Sequence, residues 1–176
     1  MRNPLVYLKN AIIIFEMKIR YGKKLSIGWI QTFEKIRLNI GKSAMVQIGS
    51  FNQNRGSLYI GVPSGKLVMG SHCFFNINSS ITCVESIRIG DNCKFGNNLV
   101  IVDHDHNFKS NEPEFVSAPI TIGNNVWCGA DVVILKGTTV GDNCVIAAGT
   151  IVKGVIPENT IVYQKKENLQ RIIERV

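Results

Sequence analysis

Between residues 122 and 156 the apolar side chains return every six positions. Ile122, Cys128, Ile134, Val140, Ile146 and Val152 form one series, and Val126, Val132, Thr138, Cys144, Thr150 and Ile156 form a second, four places on. Gly123, Gly129 and Gly141 follow members of the first series, and Asn124-Asn125 and Asp142-Asn143 stand where turns belong. A helix buries a residue about every 3.6 positions and a half-buried strand every second one, so neither gives this period. A six-residue repeat is the pattern of a parallel β-helix, in which each short flat strand turns a corner and three strands complete a coil.

The same period begins upstream. Ile77, Cys83, Ile89, Phe95 and Ile101 continue one series, and Ile81, Ile87, Cys93 and Leu99 the other. Ile101 and Ile122 are 21 residues apart, which is not a multiple of six, and the segment between them is polar and holds two of the three histidines. This predicts a loop extruded from the coil wall over about 103–118, and loops on rigid scaffolds are where chemistry concentrates. Residues 26–70 carry apolar–glycine pairs (Ile27-Gly28, Ile40-Gly41, Ile48-Gly49, Ile60-Gly61, Met69-Gly70) at wandering spacing, read as early coils with insertions at their corners.

The ends differ from the repeat. Over 1–25, Leu5, Leu8, Ile12, Phe15 and Ile19 have helical spacing among Arg2, Lys9, Lys18, Arg20, Lys23 and Lys24, with Asn3-Pro4 as a helix start. Two readings stand: an end cap packed on the open coil, which repeat proteins need, or a basic amphipathic helix resting on an anionic membrane. The cap is preferred. Residues 163–176 read as a C-terminal helix with Leu169, Ile172, Ile173 and Val176 inward, which divides the chain into helix 1–25, β-helix 26–162 and helix 163–176. The formal net charge of +7 suits an anionic partner such as a phosphorylated cofactor or an acidic glycan. The basic residues gather mostly in the terminal segments without interleaved aromatics, which argues against nucleic acid. Four of the five cysteines fall at repeat positions and read as reduced core thiols. With no secretory signal pattern, they point to a cytoplasmic protein, with the inner face of the membrane as the alternative place.

The repeat, the run PITIGNNVW at 119–127 and the histidine loop before it resemble the hexapeptide-repeat acyltransferases. The likeness covers about 70–162 and is strongest to the galactoside and maltose O-acetyltransferases and to O-antigen and capsule O-acetyltransferases with a DHxH loop. The resemblance implies an all-β, left-handed parallel β-helix, a homotrimer with sites between subunits, and acetyl transfer from acetyl-CoA to a sugar hydroxyl. It implies a histidine base: laid without a gap from Gly90, the position falls on His106, with His104 second, and Asp103 or Asp105 as the group that orients the ring. It implies Asn76 as acceptor-binding, Trp127 beside both acceptor and cofactor, and Ala130 and Ala148 as small residues admitting the pantetheine arm. Lys153 lies near the family's phosphate-binding position but is shifted by one, with Lys165 and Lys166 as alternatives. The closing AGxPA turn of the family is absent, so the nucleotide end departs from its pattern. The acceptor-side alternative is an N-acyltransferase acting on an amino sugar. A metal-dependent hydratase or hydrolase is another rival, since His104 and His106 alternate on one face, but His72 is distant and no metal is expected. A non-catalytic scaffold is the last.

Overall fold

The structure, a computed structural model, describes residues 4–107 and 115–165. Among these residues, parallel strands stack into three sheets, one of seven strands and two of six, which form the walls of a β-helix. Registers run straight down each wall. On the first wall Ile27, Ile48, Met69, Ile89, Ile122, Val140 and Ile156 form one column. On the second, Asn54, Phe75, Phe95, Cys128, Ile146 and Val162 are aligned. On the third, Leu38, Ile60, Ile81, Ile101, Ile134 and Val152 are aligned. Successive members of the six-residue series therefore visit the three walls in turn.

The early coils follow the same plan with longer corners: Ile27 pairs with Ile48 and Ile48 with Met69, each 21 residues on, where Ile122 pairs with Val140 after 18. Two expected core positions move. Ile77 is 47% exposed at a corner, because Phe75 takes the inward place under Phe95. The coil after Val140 closes in 16 residues, so Ile156, expected in the second series, completes the first-wall column instead. All five cysteines are buried and free.

Corners hold this stack together. Asn78, Asn98 and Asp131 adopt left-handed backbone (φ near 60°), which asparagine and aspartate tolerate better than other side chains. Their side chains ladder from coil to coil, Asn78 Nδ2 to Asn98 Oδ1 at 2.9 Å and Asn98 Nδ2 to Asp131 Oδ1 at 2.8 Å. At another corner only glycine fits: a Cβ on Gly123 would lie 2.8 Å from the Asp142 backbone nitrogen.

The N-terminal helix α1 (Pro4–Tyr21) covers the open end of the first coil, but with the opposite face from the one its spacing predicts. Ile14 and Asn10 are almost without exposure, and Tyr21 is buried. Leu5, Leu8, Ile12, Phe15 and Ile19 point outward, each more than half exposed. The reason is polar. The first coil has no coil above it to satisfy its backbone. Asn10 receives the Phe33 N–H at 2.8 Å and donates to the Phe33 carbonyl at 3.2 Å, and the Tyr21 hydroxyl donates to the Leu38 carbonyl. An all-apolar stripe could not meet those groups. At the other end, the helix expected over 163–176 falls, from residue 166, outside the described residues; 163–165 are not helical.

The Phe75 and Phe95 rings stack inside the coil at 4.7 Å between centroids, both essentially without solvent exposure. Replacing Phe95 by alanine is expected to cost about 3–5 kcal/mol. Chemical denaturation of the variant beside the wild-type protein measures it.

Candidate active site

The chain leaves the third wall after strand Val100–Val102, and returns to the first wall at Ile120–Ile122. Between them, His104–His106 and Phe115–Ser117 pair as an antiparallel ribbon, with His106 opposite Phe115 and His104 opposite Ser117. The extruded loop thus has a structured base, and its tip, 108–114, lies outside the described residues.

Asp103 anchors that base. It is completely buried. Its Oδ1 accepts from the Val84 N–H and its Oδ2 from the Glu85 and Ser86 N–H groups, all at 2.9 Å. These three amides lie at the corner between Ser79–Thr82 and Ser86–Ile89, and the carboxylate supplies the acceptors that a continuing corner of the next coil would have given. Buried beside it, the Cys83 thiol is pushed up, by burial first and then by the Asp103 charge. The fourth partner of Asp103 is His104, whose Nδ1 lies 3.0 Å from Oδ1. In the tautomer that donates Nδ1–H to the carboxylate, the neutral ring carries its lone pair on Nε2.

Both histidines contact Phe115, each ring centroid 4.9 Å from the phenyl centroid. His104 is 11% exposed by side chain, while His106 is exposed. Asp105, the other candidate to orient an imidazole, pairs instead with Lys136 at 3.1 Å. Lys136 also donates to the Val116 carbonyl at 2.9 Å, so it braces both strands of the ribbon from the coil below. Lys136 belongs to no motif in the sequence; its signal is its place at the corner directly after the inward–outward run Val133–Leu135.

The remaining candidates lie elsewhere on the perimeter. Asn76 follows strand Phe74–Phe75 at the edge between the second and third walls, where its Oδ1 accepts from the Ile77 N–H. Ala130 and Ala148 occupy the same edge one coil apart; the Ala130 carbonyl accepts from Gly149, and a Cβ on Gly129 would meet the Ala148 nitrogen at 2.7 Å. Side chains there are small and backbone is close to the surface. Between Asn76 and Ala130, the Asn97 Oδ1 is buried without a partner. Trp127 points out from the second wall, 56% exposed, in the same outward row as Lys94. These two, with His72, Asn92, Asn125 and Val126, line a cleft of about 540 Å³. Lys153 is exposed at the ribbon's edge of the third wall, and Lys165 follows Gln164, which binds both backbone groups of Ile151. Lys166 lies outside the described residues.

The structure therefore brings His104 and His106 together and stacks Ala130 on Ala148. It does not bring Asn76 to the histidines: a full strand of the third wall, Ser79–Thr82, separates their edges. Six residues of extended chain span about 20 Å. Among the described residues, no three His, Cys, Asp or Glu side chains gather into a set able to hold a metal ion.

Residues 66–102 and 119–153 match the family model described as the hexapeptide repeat of succinyl-transferase. The chain therefore carries the hexapeptide repeat over these two stretches. Among similar proteins, the galactoside O-acetyltransferase of Escherichia coli (strain K12) is 43% identical over 97 residues, covering 53% of this chain and 47% of that protein. The putative lipopolysaccharide biosynthesis O-acetyl transferase WbbJ of the same strain is 34% identical over 94 residues, 47% of this chain and 48% of WbbJ. The chain thus spans about half the length of these curated relatives. A mutant of AntD, an N-acyltransferase from Bacillus cereus solved with dTDP and coenzyme A, shares the fold at a TM-score of 0.62 and 15% identity, over 83% of each chain.

Replacing Asp103 by alanine takes the acceptor from three part-buried amides, at up to about 1–3 kcal/mol each. The variant is expected to melt well below the wild-type protein in a thermal scan, while Asp105→Ala, which removes an exposed carboxylate, is expected to melt close to it.

Proposed function

We propose that this protein transfers an acetyl group from acetyl-CoA to a hydroxyl of a sugar, within a cell-surface glycan or its precursor. The observation that carries this reading is the Asp103–His104 pair, set at the root of an extruded ribbon on a hexapeptide-repeat scaffold. In this reading His104 Nε2 takes the proton of the acceptor hydroxyl as its oxygen attacks the thioester carbonyl. The new C–O bond forms, the C–S bond breaks, and the proton passes to the leaving thiolate, giving an acetyl ester and coenzyme A without a covalent enzyme intermediate. General-base help of this kind contributes roughly 10²–10⁴-fold.

His106 is the rival base. The gapless register with the galactoside branch favours it, while the fixed hydrogen bond to a buried carboxylate favours His104. Asn76, as acceptor ligand, stands a wall's width from either histidine, which supports a homotrimer in which a neighbouring copy brings its Asn76 edge to this ribbon. Trp127 then borders acceptor and cofactor, Ala130 and Ala148 admit the pantetheine arm, and Lys153, Lys165 or Lys166 meets the coenzyme phosphates. Names of the relatives favour an O-acetyl acceptor; the fold does not discriminate, since an N-acyltransferase shares it, and an amino sugar is the second reading. Buried, unpaired cysteines support a reducing, cytoplasmic setting.

Free-thiol release from acetyl-CoA, measured against a panel of sugars and capsular glycans, tests this. Acceptor-dependent release is expected, falling by about 10² or more in His104→Ala and persisting in His106→Ala. Loss confined to His106→Ala moves the base two residues, and release stimulated by amino sugars alone moves the reading to N-acyl transfer. Absence of both release and coenzyme A binding refutes acyl transfer.

A further inference from the structure

Helix α1 presents a row of large apolar side chains to the outside. Leu5 is 68% exposed, Leu8 60%, Ile12 54%, Phe15 56% and Ile19 68%. At 1.5 Å per residue the row runs about 21 Å along the helix. Its other face is already committed to the first coil, through Asn10, Ile14 and Tyr21. Beside the helix Trp29 is 54% exposed, and the Lys18 ammonium sits 4.1 Å over its ring. A contiguous exposed apolar surface of this kind marks an interaction site.

We propose that this row docks the protein onto an anionic lipid surface, with α1 lying in the plane of the interface. Charge identifies the occupant. Lys9, Lys18 and Arg20 flank the row, Lys23 follows at the helix end, and Glu16 is the helix's one acidic residue. A second copy packing helix on helix would bring two such cationic borders together with a single acid from each. A lipid surface with negative headgroups takes the apolar row into its acyl boundary while the long Lys and Arg stems reach outward to the headgroups. No helix among the described residues is long and apolar enough to cross a membrane, and one apolar face on a helix whose other face is packed suits lying on a surface. The proposal rests on the helix alone and does not depend on the acetyl-transfer reading.

Flotation of the full chain with vesicles tests it. Vesicles of equal phosphatidylglycerol and phosphatidylcholine are compared with pure phosphatidylcholine, at low and high salt. The wild-type protein is expected to float with the anionic vesicles and to fall about tenfold or more on neutral vesicles or at high salt, where surface charge is screened. Ile12→Glu with Phe15→Glu, and separately Lys9→Glu with Arg20→Glu, are each expected to lose flotation. All four positions are solvent-facing, and an unchanged melting temperature confirms that each variant is folded. The proposal is overturned if the wild-type protein stays out of the anionic vesicle fraction, or if the apolar double variant floats as well as wild type. It is equally overturned if the apolar row proves, by sedimentation without lipid, to be what holds copies of the chain together.

Discussion

Backbone groups in this protein are satisfied mainly by the next coil. Wall strands inside the stack find their hydrogen-bond partners above and below, and those of the end coils on one side only, so each coil must lie in register on its neighbour, at the spacing of paired strands, about 4.8 Å. That constraint reaches the corners, where the chain also comes into contact with itself. It explains why Gly123 carries no side chain and why asparagines ladder along the corner. It also gives a reason for cysteine at inward positions. The Cys73, Cys93 and Cys144 thiols each donate to a carbonyl of the following coil, of Gly90, Gly123 and Pro157, at 3.0–3.2 Å. A valine of similar size fills the same space at Val126 but has no donor for that carbonyl.

Where the coil is interrupted, the same constraint creates the candidate site. The chain departs at residue 103, and the amides of Val84, Glu85 and Ser86 would be left bare. The Asp103 carboxylate takes all three, and the lone pair it has left meets His104. One buried carboxylate thus repairs the wall and fixes the imidazole. Lys136 does comparable work from below, tying Asp105 and Val116 of the two ribbon strands to the coil. A ribbon held at its root by a buried charge and a lysine brace keeps its histidines in place.

The open first coil shows the constraint at a terminus. Its unpaired backbone draws the polar side of α1 inward through Asn10 and Tyr21, and the more apolar side is left outside. A helix that caps a solenoid is selected first for the hydrogen bonds it can return, and only then for the area it buries.

Much of this was legible in the sequence. A six-residue period has one structural meaning, so the β-helix, its inward columns, the cysteines as core residues and the break near residue 103 all followed from spacing. The histidine strand was visible as polar sequence where the period fails. Spacing reports which residues share an environment, and it could not say which environment each set receives. Only the folded chain decided that the apolar stripe of α1 faces out, because that choice rests on bare backbone groups of a coil 17 to 23 residues away. Only it decided that Ile77 sits at a corner and Ile156 in the first column, because coil lengths, 16 to 22 residues apart from the loop-bearing coil, are set by local turns. It alone separated Asn76 from the histidines and paired Asp103 with His104. Distance around a closed perimeter, and the orphaned amides that a departing strand leaves behind, are properties of the assembled walls rather than of any one repeat.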